Sequence, residues 1–383
     1  MRSNRLAAVW LACVVSGCQL LGGARIQELA TGSAKPGNVA TLVAVTEKDK
    51  PVPGLPPSAF TITENDQPID AETAQLQLIE PSRYAAFHTV LLIDISQAKD
   101  APVRKALAKA AGAFVRRVRL GQAVTVVAYD GSDKVRVVGE YSTDAHATTP
   151  EQVESLVNIT PGDPSRNLRG AVVQGLDILD RHLASSPFPL HLGTLVVFAR
   201  GPDLAGRTPE STLKDAISTR TDKLVYIGVT GDTPDAAART LSESGQVLAQ
   251  ASDTLPIAFE DAGALVDSLL DQYYLISYCS PARAGKRSLK VSVSVPVPDG
   301  KNETDSFGIE FDATGFTAGC DSQKVPPLVV TSSAKQAAPK SASVSPSGIN
   351  KPASSATGSS ARAPAKGNND EEAPVPAQPG YAQ

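Results

Sequence analysis

The chain is poor in the residues that most often carry chemistry. Its 383 residues include four histidines, four cysteines, one methionine and one tryptophan, and aromatics make up only 5%. His88, His146, His182 and His191 show no HxxxH-type spacing, so no pair of them reads as metal ligands. There is no GxSxG elbow, no GxxxxGK[ST] phosphate loop and no GxGxxG after a strand. Nothing in these patterns argues for catalysis, and the chain is expected to be neither an enzyme nor a cofactor carrier. Few aromatics means few stacking platforms for bases. A net charge of −4, with no basic block outside the C-terminal region, gives no electrostatic footprint for nucleic acid. No apolar run reaches the length of about 20 residues that a membrane-spanning helix needs.

What is present begins at the N-terminus. Arg2 and Arg5 precede an apolar run from Leu6 to Val15, and Val15-Ser16-Gly17-Cys18 follows. A charged start, a short apolar stretch and small residues before a cysteine resemble a bacterial lipoprotein signal. The resemblance implies cleavage after residue 17 and acylation of Cys18, palmitate included, with the membrane held through that lipid anchor. More than one buried acyl chain is needed to make such anchoring stable. Gln19, where Asp would retain the protein at the inner membrane, points to the outer membrane of a Gram-negative cell envelope. Cys13 would leave with the signal. Cys279 and Cys320 then remain as an even pair in an oxidising compartment, and a disulfide between them is expected, with two separate buried thiols as the alternative.

The composition divides the rest of the chain. Residues 18–36 mix small and polar residues and read as a tether. Residues 37–84 carry strand-like alternation at Val39–Thr46, Ala59–Thr63 and Leu76–Ile79, broken by Pro-bearing turns. From about residue 85 to 272 the pattern changes to alternating strands and helices, which predicts a doubly wound, mostly parallel sheet. Strands are expected near 91–95, 123–129, 135–141, 192–199 and 224–229, and helices over 100–118, 168–183, 208–219 and 262–270. Residues 273–322 return to strand-like alternation and are expected to complete a small β-sandwich with residues 37–84, so that the α/β segment is an insertion in it. Residues 323–383 collapse into Ala, Ser, Pro and Lys and are expected to be a disordered tail.

The run from His88 to Ala98, HTVLLIDISQA, places Asp94 and Ser96 at the C-terminal end of a buried strand. In open α/β sheets that end is where ligands bind. The run resembles the first strand of a von Willebrand factor A-type domain, which ends DxSxS and holds a divalent cation. The segment Leu42 to Ile69 is similar to the β-module that precedes A-type domains in a bacterial family of such proteins. The resemblance implies a Rossmann-like fold with a protein-binding face at the strand ends.

It also implies a degraded metal site. The third ligand position of the first loop is Ala98, which offers no oxygen. The second loop, Pro164 to Val172, puts Arg166 where the family has a ligating Thr, although a one-residue slip would offer Ser165. The third loop, Ala199 to Asp203, puts Arg200 where the family has an Asp, while Gly201 and Asp203 still fit. A hard divalent cation wants converging oxygens and is repelled by a guanidinium. Arg200 is therefore expected to pair with Asp94 and to replace the metal as the cation that holds the loops. The expected binding face is Asp94, Ser96, Arg166, Arg200 and Asp203, with Arg166, Arg169 or Arg200 receiving an acidic group of an envelope or extracellular protein. Asp94, Ser96 and Ser165 as a residual metal site is one alternative, a divalent-cation-dependent adhesin. A spacer or scaffold of the envelope is the other.

Overall fold

The computed structural model describes residues 23–144, 151–218, 220–297 and 300–331. The expected signal with Cys18, His146 and the part of the expected tail beyond Thr331 lie outside the described residues.

The chain opens with two long antiparallel strands, β1 (Ala24–Ala34) and β2 (Asn38–Glu47). Short strands follow: β3 (Lys50–Pro51), β4 (Phe60–Glu64), β5 (Gln67–Pro68) and β6 (Gln77–Ile79). The turns between β2 and β3 and between β4 and β5 are tight. Lys48-Asp49 and Asn65-Asp66 take positive φ in them, the geometry whose twist suits two-residue hairpins. An α/β segment comes next, with β7 (Ala86–Asp94), α1 (Ala101–Val118), β8 (Ala123–Tyr129), β9 (Arg136–Tyr141), α2 (Glu154–Asn158), α3 (Leu168–Ala184) and β10 (His191–Phe198). It continues through α4 (Glu210–Ser218), β11 (Lys223–Val229), α5 (Ala238–Leu241), β12 (Gly245–Ala249) and α6 (Leu255–Leu270). The chain then returns to β structure in β13 (Tyr273–Cys279), β14 (Lys286–Pro296), β15 (Asn302–Asp312) and β16 (Val329–Val330).

These strands form three sheets. The central one runs β12-β11-β10-β7-β8-β9, parallel throughout except for the antiparallel edge strand β9. Its inner strands are continuous apolar runs because both faces are covered. Helices α1 and α6 pack on one face around Phe114, Phe198 and Phe259, and α3 packs on the other around Leu92, Leu176 and Leu179. A mostly parallel sheet with helices on both faces agrees with the α/β expectation. The other two sheets, β16-β1-β2-β13-β6 (with β3 on β2) and β15-β14-β4-β5, enclose a separate core of Val43, Ile62, Ile276, Tyr278 and Val291. The α/β segment leaves from β6 and returns into β13, which are antiparallel neighbours. Its entry and exit are therefore side by side.

Two stretches differ from the sequence reading. Most of the tether assigned to residues 18–36 is strand β1, whose small and polar residues pair with β2 along its whole length. The first nine residues assigned to the tail, 323–331, are the second. Residues 323–331 return to sheet β1–β2, where Leu328 is buried and β16 pairs with Ala30 and Thr31. Asn38 Nδ2 donates to the carbonyls of Asp321 and Lys324, and Ser277 Oγ donates to that of Ser322 at 2.6 Å. Composition scores such a segment as tail because its order comes from a distant partner.

Cys279 and Cys320 form a disulfide with Cα atoms 5.7 Å apart. It fixes β13 to this returning segment.

Candidate functional site at the strand ends

The order of the central sheet creates the site. From β7 the chain moves outward to β8 and β9, then crosses back to β10 on the other side of β7. Neighbouring connections diverge at the carboxyl ends of β7 and β10, leaving the crevice that open α/β sheets use for ligands. Asp94 ends β7 there, and Arg200 follows β10 by two residues.

Asp94 is buried and fully engaged. Its Oδ1 accepts the Ser96 backbone N–H at 2.9 Å, an Asx turn that bends the chain away from the sheet. Its Oδ2 accepts the Arg166 Nε–H and, at 3.1 Å, the Arg200 backbone N–H. The expectation that Arg200 pairs with Asp94 through its side chain is therefore corrected. Arg166 makes the ion pair and Arg200 contributes only its amide. The Arg200 side chain turns outward instead, with Nε donating to Asp232 at 3.1 Å and Nη1 to Ser252 Oγ at 3.1 Å. Position explains the swap. Arg166 enters from the loop before α3, across the switch point, and its side chain is only 4% exposed.

The lock has several braces. Arg166 Nη1 donates to the Pro202 carbonyl at 3.0 Å, and the Arg166 carbonyl accepts the N–H groups of Leu204 and Ala205. Gly201 is required beside it. Its φ is +148°, and a Cβ there would lie 2.9 Å from Arg166 Nη1. Asn167 caps α3 by accepting the Gly170 N–H at 3.2 Å, while its Nδ2 reaches the Ser132 carbonyl. Asp203, one of the expected binding residues, is a brace as well. It accepts the N–H groups of Arg169 (2.9 Å) and Gly206 (2.8 Å), and its own N–H donates to Asp235. Arg169 Nη2 lies 3.6 Å from Asp235, and its Nε has no hydrogen-bond partner.

A second network borders the first. Asp130, buried at the end of β8, accepts the N–H groups of Ser132, Gly162 and Asp163. Burial pushes its pKa up, but these hydrogen bonds outweigh that and hold it below the ordinary carboxylate value. Arg207 ties three loop points together, donating to the Gly131 carbonyl, Asp133 and Asp163. Of the residual metal set, Ser165 donates its Oγ–H to Asp163 at 2.7 Å. Sequence reasoning missed Asp130, Asp163, Asp232 and Asp235. The local signals were Asp-Gly-Ser and Asp-Pro-Ser, each an Asx-type turn that orients a carboxylate.

Two tyrosines floor the crevice. Tyr129 and Tyr226 donate to the carbonyls of Phe198 (3.1 Å) and Ala199 (3.3 Å). Burial raises both, that of Tyr226 to about 12, so both stay protonated donors at neutral pH.

The oxygens that a cation at the strand ends would need are largely committed to hydrogen bonds. Three N–H donors occupy the Asp94 carboxylate, Ala98 presents a methyl group and the Ser165 hydroxyl is committed elsewhere. Only Ser96 Oγ, buried and without a hydrogen-bond partner, is left over. Among the described residues no group of three or more His, Cys, Asp or Glu side chains is placed to hold a metal.

No family profile matches the sequence, and no curated protein does. Among solved structures the chain is similar to a von Willebrand factor type A protein from Catenulispora acidiphila, at 12% identity and a TM-score of 0.39, over 78% of this chain and 75% of that one. It is similar to proximal thread matrix protein 1 from the mussel byssus, at 12% identity and a TM-score of 0.37, over 48% of each chain. It is also similar to the PilB minor pilin of Streptococcus sanguinis, at 12% identity and a TM-score of 0.36, over 64% of this chain and 79% of that one. Scores this low leave the fold to be read from the sheet order and the site from its own hydrogen bonds.

Proposed function

We propose that this is a lipid-anchored cell-envelope protein whose A-type α/β domain is a protein-interaction module, without catalytic activity, working without a metal ion. The observation that carries the reading is the Arg166–Asp94 pair at the switch point of the sheet. A tethered guanidinium supplies the positive charge around which three loops close, so the loops need no exchangeable ion to be held in place. Arg166 is buried and spent in this role. Contact with a partner falls to the outer residues, Arg200, Arg207 and Leu204, the last of which is 63% exposed. Arg200 and Arg207 already hold carboxylates in solvent-accessible pairs, and an acidic group of an envelope or extracellular protein would exchange into them.

The resemblance of the segment ending in Cys18 to a lipoprotein signal supports the anchor, and the Cys279–Cys320 bond suits the oxidising side of a membrane. A cation-dependent adhesin is the competing reading, favoured by an unengaged oxygen beside Asp94, Ser96 Oγ. Thermal unfolding of the mature protein in EDTA and in millimolar Mg²⁺ or Mn²⁺ separates the two. No change in midpoint is expected. An ion at a hundredfold its Kd would add about 2.7 kcal/mol, a rise of several degrees, and such a rise, abolished by Asp94→Ala, would overturn the metal-free reading.

A further inference from the structure

We infer that the anchored protein turns the starting ends of its parallel strands toward the bilayer and carries the Asp94–Arg166 face on the far side. The inference rests on acylation at Cys18, proposed above.

The two ends of the central sheet are chemically and topologically distinct. Asp94 and Arg200 mark its carboxyl end. At the opposite end a cleft of about 1340 Å³ separates the sandwich from the α/β layer, and His191 and Lys223, the first residues of β10 and β11, line it. Gly23, the first described residue, lines the same cleft, and so does Val330, next to the last. The described residues thus begin and end at one end of the sheet.

Cys18 stands five positions before Gly23. Five residues span at most about 18 Å even when fully extended, which keeps this end of the molecule close to the lipid headgroups. The eight residues of β10 rise about 26 Å from His191 to the far end. The tether is therefore shorter than the layer it holds, and the strand-end loops stand a full strand length beyond the anchored end. Leu204 and Ile257 are each 63% exposed, and both belong to that distal end, Ile257 in the first turn of α6 after β12.

The test uses the full-length chain, processed in a lipidating bacterial host and reconstituted in phosphatidylethanolamine–phosphatidylglycerol vesicles that carry an acceptor-labelled lipid. A donor dye is placed on Lys50→Cys, which is exposed and lines the cleft, or on Leu204→Cys or Ile257→Cys at the other end. The expected result is a larger loss of donor emission to the acceptor at position 50 than at either distal position. Two distal reporters guard against one variant that folds poorly. Equal or reversed loss in an acylated protein overturns the orientation and leaves the anchor intact. Mass spectrometry that finds no acyl group on Cys18 of the same sample overturns the anchor, and the inference with it.

Discussion

Arg166 donates its Nε–H to Asp94 Oδ2 across the switch point of the sheet, and both side chains are almost completely removed from solvent, 4% and 1% exposed. A buried pair of this kind contributes less by its own attraction than by what its loss leaves behind. Either partner alone is a desolvated charge with no counter-ion.

Removing one partner is accordingly expected to be severe. Arg166→Met should cost roughly 3–5 kcal/mol, read as a lowered urea midpoint with an unchanged slope. Adding Asp94→Asn should recover part of that loss, because the orphaned carboxylate is gone. Losses that simply add would show that the two groups are not coupled in the fold.

Arg200 supplies the contrast. Its ion pair with Asp232 is about one-third exposed on each side (32% and 27%). Arg200→Ala should change stability by less than about 1 kcal/mol, while lowering the affinity of whatever acidic partner a pull-down or surface-binding assay identifies. A loss as large as that for Arg166→Met would restore the pairing read from the sequence.

His88 predicts a pH dependence. It is buried at 8% exposure, its ring stacks on His182 at 4.3 Å, and both Nε2 atoms meet the single hydroxyl of Thr125, at 2.9 and 3.1 Å. Burial, and then the neighbouring His182, lowers its pKa from 6.5 to about 4. With the folded-state value below the unfolded one, the unfolded chain binds the proton more readily. The contribution to stability is therefore complete above pH 6.5 and is lost as pH falls toward 4. It amounts to about 3 kcal/mol. Urea melts of wild type and His88→Gln between pH 7.5 and 4.5 should converge toward the acid end, and an NMR titration of the His88 ring gives the folded-state value directly.

The disulfide closes a loop with a sequence separation of 41. Replacing Cys279 and Cys320 by serine should cost about 4 kcal/mol in the chain-entropy model. Amide exchange should rise first in residues 321–331 and in the β1 amides that β16 covers. Uniform acceleration across the central sheet would instead mean that the bond supports the whole molecule.

Gly32 tests the returning segment from the other side. A Cβ at this position would lie 2.3 Å from the Pro327 carbonyl oxygen. Gly32→Ala should therefore push residues 325–331 off β1, at a cost of roughly 1–3 kcal/mol, and open that segment to proteolysis. Wild-type protection of the segment in the variant would place it elsewhere than against β1.

Much of this was legible in the chain itself. The continuous apolar run Val90–Ile93 fixed a buried central strand, the alternation of strand and helix after it fixed the layered α/β arrangement, and Asp94 followed as the residue at the carboxyl end of that strand. That Ala98, Arg166 and Arg200 offer no side-chain oxygen was readable too. These are properties of residue type and local period, and neighbours along the chain are enough to set them.

Tertiary structure decided what depends on distant partners. Which arginine reaches Asp94 turned on the path of the loop before α3, not on alignment, and it selected Arg166 over Arg200. Residues 24–34 and 329–330 became strands only because β2 and β1 offered free edges to them. The stacking of His88 on His182 joins β7 to the last turn of α3, 94 residues later in the sequence. Backbone hydrogen-bond groups and buried charges must find partners somewhere. The sequence shows that they need them, and only the folded chain shows which ones they find.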